Sequence, residues 1–243
     1  MFSIFKKRAQ LERFPFHVLK TDIHSHLLPG IDDGSPDEAT SIGLMKGLIE
    51  LGYENFVATP HVMEDIWRNT SESIHGAQER LNQALVEEGM NKQVRAAAEY
   101  LVDGNFEQLL KDKQPLLTIH KNWVLIEISF IQPPFQLKEV IFEMQMQGYQ
   151  PVFAHPERYS FYHVRRDELL DIKHAGCYFQ ANLNSFTGYY GPAVMQAAEW
   201  LAKNGMIDLF GTDLHHERHL HALQQLEFTK PLQLAVEGMV VIE

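Results

Sequence analysis

The sequence has 243 residues, of which 45% are hydrophobic and 11% aromatic, and its formal net charge at pH 7 is −11. This apolar fraction excludes a disordered or collagen-like chain, and the length suits a single α/β barrel, which typically takes about 200–250 residues. The acidic surplus argues against a nucleic-acid partner, which needs Lys and Arg along the phosphate backbone. The single cysteine, Cys177, excludes a disulfide framework and a Cys-rich metal site.

The pattern along the chain favours one domain. Residues 1–19 are interpreted as an N-terminal extension and residues 20–243 as a single domain, because no Pro/Gly/Ser-rich linker interrupts them. No stretch approaches the roughly 20 apolar residues of a membrane span, and the first residues are charged too early for a signal peptide. With a single cysteine, this pattern predicts a cytoplasmic location.

Short apolar runs alternate with amphipathic segments from residue 20 onward. The runs lack clean alternation and are typical of parallel strands covered on both faces. The predicted strands are residues 21–24, 55–59, 94–98, 124–129, 151–154, 178–182 and 207–211. Predicted helices span residues 36–51 (with Ser35 as the N-cap), 71–88, 106–111, 137–147, 166–174 and 192–203, and residues 231–243 are expected to form a closing helix or strand. Strands that alternate with helices indicate right-handed crossovers and an α/β fold.

Six of the seven predicted strands deliver a His or a carboxylate at or near the carboxyl end. These residues are His24 and His26, His61, Glu99, Glu127, His155, and Asp213 with His215. Barrels of parallel strands place their active sites at this end. Two ligands separated by one residue leave an extended chain on the same face, so His24 and His26 can share an ion. A set of imidazoles and carboxylates suits Zn²⁺, Mn²⁺ or Fe better than Ca²⁺.

These motifs resemble the polymerase-and-histidinol-phosphatase (PHP) superfamily. The resemblance rests on His24-Ser-His26, the turn Asp32-Asp33-Gly34, Thr59-Pro-His61, Glu99, Glu127, His155-Pro-Glu-Arg-Tyr159 and Thr212-Asp213-Leu-His215, and it covers roughly residues 20–230. Within the superfamily, the chain is most similar to the bacterial protein-tyrosine phosphatases of capsular and exopolysaccharide systems. The resemblance implies a distorted seven-stranded (β/α)7 barrel with a metal site at the C-terminal ends of its strands.

The same resemblance implies three divalent metal ions, Mn²⁺ in the first place and Fe or Zn as alternatives. The first ion would be bound by His24, His26, Glu99 and Asp213; the second by Glu99, Glu127 and His155; and the third by Asp33, His61 and His215. Asp32 and Asp33 are adjacent and could exchange roles. Arg158 matches a phosphate-contacting catalytic arginine of the family, and Arg218 is the nearest match to a second one.

This site predicts a metal-dependent phosphomonoesterase. Divalent ions would outweigh the ligand carboxylates and make the site attractive to a phosphate dianion, and a bound ion lowers the pKa of water enough to supply hydroxide at neutral pH. The resemblance implies phosphotyrosine in protein as the substrate, with the tail of a bacterial tyrosine autokinase that controls polysaccharide export as the expected partner. His216 and Glu217 are candidate general acids only because they follow His215.

Alternative functions use the same residues. The first is a small-molecule phosphatase such as histidinol-phosphate phosphatase, the second is a non-catalytic metal- or phosphopeptide-binding module, and the third is a nuclease, which the acidic charge disfavours. The cysteine-based phosphatase mechanism is excluded because it needs an Arg six residues after the Cys, where this chain has Leu183. Tyr189 and Tyr190, or Trp67 and Arg68, could form a substrate rim or ordinary loops.

Overall fold

The computed structural model describes residues 12–240 and 242, and its strands are short and parallel. The strands are β1 (Thr21–Asp22), β2 (Asn55–Ala58), β3 (His61–Val62), β4 (Val94–Ala96), β5 (Glu99–Leu101), β6 (Trp123–Glu127), β7 (Gln150–Ala154), β8 (Tyr178–Asn182) and β9 (Leu209–Gly211). The helices are α1 (Glu38–Leu51), α2 (Ser71–Glu87), α3 (Gly104–Lys111), α4 (Leu137–Met146), α5 (Arg166–His174), α6 (Pro192–Lys203), α7 (Glu217–Gln224) and α8 (Lys230–Gly238).

The strands form two parallel sheets instead of one continuous ladder. One sheet has the order β1-β2-β4 and the other the order β3-β5-β6-β7-β8-β9. Two of the predicted strands are each followed by a second short strand. Pro60 lies in the break between β2 and β3 and has no N–H to donate to a ladder, and Ala97 and Ala98 lie in the break between β4 and β5. The prediction of an α/β fold with parallel strands is confirmed, whereas the number and grouping of the strands differ from the expected seven.

Backbone hydrogen bonds join the two sheets at two places. The N–H of Ala97 donates to the carbonyl of Ala58 at 2.8 Å, and the N–H of Glu99 donates to the carbonyl of Pro60 at 3.1 Å, so pairing continues across the break. On the other side, a parallel bridge pairs Ser25 with Leu214 just beyond β1 and β9. The carboxyl ends of all the strands therefore lie close to one another.

Most helices agree with the sequence pattern, and α5 and α6 have the predicted bounds. The predicted start of α1 was wrong by two residues, because Asp37 and not Ser35 is the N-cap and its side chain accepts from the N–H of Thr40. The closing segment, predicted over residues 231–243, forms helix α8 up to Gly238, and residues 241 and 243 lie outside the described residues. Helix α7 was not predicted, although Leu220 and Leu223 lie on its buried face, because it is short and its sequence is rich in His.

Apolar side chains fill the space between the strands beneath the site. This inner cluster consists of Ile23, Val57, Ala97, Ile119, Leu125, Val152, Ala154 and Leu209. In β6, Leu125 belongs to the inner cluster while Val124 and Ile126 pack outward against the helices. Successive strand side chains point to opposite faces, so Glu127 continues the inner face of Leu125 and lies directly above the apolar cluster.

Candidate metal centre

The predicted ligands converge at the carboxyl ends of the strands. Each of the nine belongs to at least one of four groups whose donor atoms lie within 4.8 Å of one another. The groups are His26, Asp33, His61 and His215; His24, His26 and Asp213; His24, Glu99 and His155; and His61, Glu99 and Glu127. Eight of the nine are buried or partly buried, and Asp33 lies at the solvent edge.

Glu99 lies at the centre of this cluster and is fully buried. Its Oε2 is 3.3 Å from Nε2 of His24 and 3.1 Å from Nδ1 of His61. Its Oε1 is 3.0 Å from Nε2 of His155. One carboxylate therefore faces three imidazoles that arrive from three different strand ends, as the expected bridging role of Glu99 requires.

The remaining contacts agree with the predicted grouping only in part, since His61 also lies beside Glu99 and Glu127. Oδ1 of Asp213 lies 3.4 Å from Nε2 of both His24 and His26. Oδ1 of Asp33 lies 3.4 Å from Nε2 of His61 and 3.5 Å from Nε2 of His215. His26 and His215 stack with ring centroids 3.9 Å apart, which brings the first and third predicted metal positions next to each other.

Buried polar residues orient the candidate ligands. Nδ1 of His26 is 2.8 Å from Oδ2 of Asp32, and Nδ1 of His24 is 2.7 Å from Oε1 of Gln180. These contacts leave Nε2 of both rings directed at the cluster, as outer partners do for metal-binding histidines. Asp32 and Asp33 thus have different environments: Asp32 holds an imidazole, and Asp33 faces the third group.

Two further contacts were not predicted. Nδ2 of Asn182 donates to Oδ2 of Asp213 at 2.6 Å, and Nε2 of Gln180 donates to Oδ1 of Asn182 at 2.9 Å. Gln180 and Asn182 are separated by one residue at the end of β8, the predicted strand that delivers no ligand. This polar pair was the feature of the sequence that could have indicated contact with the metal ligands. The carboxylate of Asp22 accepts hydrogen bonds from the N–H and the hydroxyl of Thr212.

The backbone is bent where two of the ligands lie. His155 has φ of +37° and Asp213 has φ of +49°, in the left-handed region that L-residues other than glycine seldom adopt. Regular alternation in β7 would point His155 outward with Phe153, so the bend turns its imidazole toward the cluster. Backbone strain of this kind is often found at functional sites, where contacts with the surrounding structure hold the residue in the unfavourable conformation.

Close packing brings two glycines against the ligand histidines. A Cβ on Gly34 would lie 2.2 Å from the carbonyl oxygen of His26, and a Cβ on Gly211 would lie 2.6 Å from Cβ of His24. Real side chains do not approach so closely. Glycine is therefore required at both positions for the loop after His26 and the end of β9 to reach the site.

The chemistry of the donor set fits metal ions. Nδ1 of His61 lies 3.1 Å from Oε2 of Glu99 and 2.8 Å from Oε1 of Glu127. All three atoms are buried without a hydrogen-bond partner among the described residues, as is Nδ1 of His155. Imidazole nitrogens and carboxylate oxygens that lie this close together without forming hydrogen bonds are arranged as metal ligands are. A cation bound among them would coordinate these buried atoms.

The electrostatics of the cluster also favour a cation. Burial alone would lower the pKa of His26, but Asp32 and Asp213 together outweigh burial and raise this pKa well above its usual value. The pKa of His61 is raised in the same way, since Glu127, Asp33 and Glu99 together outweigh burial. Burial raises the pKa of Glu99, but His24 and the other imidazoles outweigh it and lower the pKa. The carboxylates thus stabilise positive charge, which divalent ions would supply.

Arg158 lies at the edge of the cluster. Its Nη1 donates to Oδ2 of Asp213 at 2.7 Å, and its guanidinium lies against the rings of Phe130 and Tyr190. Burial lowers the pKa of Arg158, but Asp213 and the neighbouring Tyr190, Tyr159 and Glu99 together outweigh burial and raise this pKa, so the guanidinium stays charged. Arg218 lies elsewhere: it is exposed on α7 and does not line the cavity, whereas the next residue, His219, does.

A cavity of about 390 Å³ opens above the cluster. Candidate ligands form its floor, and its walls include Met63, Ile66, Trp67, Phe130 and Tyr190. Of the candidate rim residues, Trp67 and Tyr190 line the cavity, whereas Arg68 does not, because its Nε donates to the carbonyl of Glu64. His216 lines the cavity as the N-cap of α7, and Glu217 does not.

A larger cavity, of about 510 Å³, lies between residues 132–139 and the segment 162–172. It contains none of the predicted ligands, so the smaller cavity is the candidate active site. Within the described residues, no helix is long and apolar enough to cross a bilayer.

Comparison with known proteins agrees with the motifs. Residues 20–225 match the family described as capsular polysaccharide synthesis, CpsB/CapC. The chain is 29% identical to tyrosine-protein phosphatase YwqE of Bacillus subtilis (strain 168), over 84% of this chain and 82% of the relative. It is 25% identical to tyrosine-protein phosphatase CpsB of Streptococcus pneumoniae, over 80% of this chain and 82% of the relative.

A solved structure is similar over almost the whole chain. It comes from work on YwqE from Bacillus subtilis and CpsB from Streptococcus pneumoniae, which are described there as unique metal-dependent tyrosine phosphatases. The match has a TM-score of 0.76 and 26% identity, and it covers 91% of this chain and 96% of the other. The resemblance predicted from the motifs is confirmed: the chain belongs to the CpsB/CapC family of capsular polysaccharide synthesis.

Proposed function

We propose that this protein is a metal-dependent protein-tyrosine phosphatase that hydrolyses phosphotyrosine monoesters at a trinuclear metal site. The observation that carries the proposal is the convergence of nine His, Asp and Glu side chains at one place, where six of them line the floor of one cavity with Arg158 at its edge. The prediction of an enzyme, a metal-dependent tyrosine phosphatase, is confirmed at the level of the family, because its named relatives carry that activity.

Three groups of residues would hold the ions. His24, His26, Glu99 and Asp213 would hold the first, Glu99, Glu127 and His155 the second, and Asp33, His61 and His215 the third. We propose Mn²⁺ as the ion, as the family resemblance implies, with Fe and Zn as alternatives that imidazole ligands also suit. Bound ions would supply Lewis-acid chemistry: they polarise the phosphoryl group and lower the pKa of water.

The side chains of this chain would bind and orient the phosphate. Guanidinium matches phosphate in geometry and stays charged, so Arg158 would donate to non-bridging oxygens. Asp213 would hold Arg158 through Oδ2 while its Oδ1 faces the metal ligands. The apolar walls of the cavity would exclude water around the aromatic leaving group. A tyrosine leaving group, with a pKa near 10, needs less acid assistance than a serine alkoxide.

The proposed substrate is a phosphotyrosine-containing protein. The expected partner is the tyrosine-rich tail of a bacterial tyrosine autokinase in capsule or exopolysaccharide regulation, in the cytoplasm. Membership of a capsular polysaccharide synthesis family supports this partner. A flexible tail would suit the open cavity, because a disordered segment can place one side chain in a pocket without rearranging a fold.

We also propose the distorted seven-stranded barrel and the division into residues 1–19 and a single domain from residue 20 to 243. The hydrogen bonds from Ala97 and Glu99 and the bridge between Ser25 and Leu214 support the barrel, since they link the two sheets on both sides. Residues 1–11 of the extension lie outside the described residues.

The proposed function is tested by comparing substrates on the Mn²⁺-loaded protein. A phosphotyrosine peptide, p-nitrophenyl phosphate, histidinol phosphate and single-stranded DNA would be assayed side by side. We expect the highest kcat/KM on the phosphotyrosine peptide. A clear preference for histidinol phosphate would favour a small-molecule phosphatase, DNA cleavage would favour a nuclease, and binding without hydrolysis would favour a non-catalytic module.

A further inference from the structure

The guanidinium of Arg158 is enclosed by two aromatic rings. Its Cζ lies 4.9 Å from the centroid of Phe130 and 4.4 Å from the centroid of Tyr190. Both distances are within the roughly 6 Å at which a cation is attracted to a ring face. The Arg158 side chain is 24% exposed, so the rings replace much of its solvent.

Most of the donors of Arg158 remain available to a ligand. A guanidinium carries five N–H donors. Within the described residues, one side-chain hydrogen bond uses them, from Nη1 to Oδ2 of Asp213 at 2.7 Å. The ion pair with Asp213 fixes Nη1 of Arg158 but leaves the plane of the guanidinium free to rotate about that contact. The two rings restrict this rotation, because a tilted guanidinium would lose contact with their faces.

Each ring is itself held by residues of the site. Phe130 stacks on His155 with centroids 5.8 Å apart and an angle of 16°, and it also contacts Tyr159 at 5.1 Å. Tyr190 packs edge-on against His219 at 5.9 Å. The orientation of Arg158 is therefore linked, through Phe130, to the position of a candidate metal ligand.

We propose that Phe130 and Tyr190 are positioning residues that hold the Arg158 guanidinium in register with the phosphate-binding position of the metal centre. This inference rests on the proposed function, because it assigns phosphate binding to Arg158. The two residues lie 60 positions apart in sequence and on different loops. Both rings restrict the Arg158 side chain before phosphate binds, so less conformational entropy is lost on binding. Removing either ring therefore weakens phosphate binding although every hydrogen-bond donor remains.

The ring of Tyr190, and not its hydroxyl, is the part that acts on Arg158. The hydroxyl is buried and has no hydrogen-bond partner among the described residues. Tyr190→Phe therefore removes no hydrogen bond and keeps the ring, which makes it a matched control for Tyr190→Leu. Phe130 is 46% exposed, so Phe130→Leu should disturb folding little and is the primary variant.

The experiment measures the dissociation constant of inorganic phosphate by calorimetry on the Mn²⁺-loaded protein, together with kcat and KM on a phosphotyrosine peptide. We expect Phe130→Leu and Tyr190→Leu to weaken phosphate binding about 3- to 30-fold, the range of a partly desolvated cation–π contact, and Tyr190→Phe to match wild type. In an Arg158→Ala background, Phe130→Leu should have no further effect on phosphate binding.

Three results would overturn the inference. The first is wild-type phosphate affinity in Phe130→Leu. The second is a loss confined to the peptide with unchanged phosphate affinity, which would mean that Phe130 contacts the substrate ring directly. The third is an equal loss in the Arg158→Ala background. If wild type binds phosphate, with these effects in the variants, but does not hydrolyse the peptide, the proposed function fails while the positioning role stands.

Discussion

Arg158 and Asp213 share one hydrogen bond that joins the candidate phosphate site to the candidate metal site. Nη1 of Arg158 donates to Oδ2 of Asp213 at 2.7 Å, while Oδ1 of Asp213 faces the imidazoles of His24 and His26. Each oxygen of this carboxylate thus has its own role. Because Arg158 is anchored on a residue that would also bind metal, phosphate capture and metal binding would be coupled through Asp213.

The first prediction compares the two candidate arginines. Arg158→Ala should lower kcat/KM on a phosphotyrosine peptide by about 100- to 1,000-fold, as expected when a donor to developing charge is removed. Arg218→Ala should leave kcat/KM within about twofold of wild type, because Arg218 is exposed outside the cavity and such surface changes have small effects. Steady-state kinetics of both variants checks this, and an equal loss in both would contradict it.

The second prediction concerns Asp32. Its Oδ2 contacts Nδ1 of His26 and its Oδ1 accepts from the N–H of Gly34, so Asp32→Asn cannot keep both contacts. We expect Mn²⁺ affinity to fall by about 10- to 100-fold, the usual effect of losing an outer partner of a metal-bound histidine. Titration calorimetry with Mn²⁺ measures this loss.

Asp37→Asn is the control for Asp32→Asn. Asp37 caps α1 at an exposed position, and Asn is an equally good N-cap, so this variant should keep wild-type Mn²⁺ affinity. Unchanged affinity in Asp32→Asn would show that Asp32 does not orient His26.

The third prediction uses two glycines. Gly34→Ala should destabilise the loop around His26 and weaken Mn²⁺ binding, because the added Cβ would meet backbone and Cβ atoms of His26. Gly43→Ala should instead stabilise the fold by about 0.5–1 kcal/mol, since Gly43 lies within α1 with open space around its Cβ position. Thermal unfolding and Mn²⁺ titration of both variants test this, and equal behaviour would contradict the close packing at His26.

The fourth prediction separates this enzyme from cysteine phosphatases. Cys177 is buried and burial raises the pKa of its thiol, so the thiolate is scarce at neutral pH. Cys177→Ala should retain wild-type kcat, and iodoacetamide should not inactivate the folded enzyme. Peptide mapping after alkylation checks the second point. Inactivation in step with modification of Cys177 would count against a metal-based reaction.

The convergence of the metal site was predictable because it depends on strand order alone. In a parallel α/β fold, the residues that follow each strand meet at one edge, so His24, His61 and Glu127 could be grouped without knowing a single contact. The structure brings all nine predicted ligands together, although whether they bind metal stays a proposal.

The orienting contacts and the strand breaks were not predictable. The contact between Gln180 and His24 joins residues 156 positions apart, and the polar residues at the end of β8 do not indicate by themselves which partner they contact. His155 reaches the site through a left-handed backbone, whereas the period of two would have pointed it outward. Arg218 was proposed as the nearest match to a second arginine of the family, but it is exposed on helix α7. The helix turns by about 100° per residue, so the next residue, His219, faces the cavity.

The central claim is that bound cations, held by these nine residues, make the site a phosphatase. Elemental analysis of the purified protein, paired with its activity on a phosphotyrosine peptide before and after chelation, tests this claim most directly. We predict three divalent ions per chain, loss of activity when they are removed, and recovery when Mn²⁺ is restored. Full activity in protein that elemental analysis shows to be free of metal would contradict it.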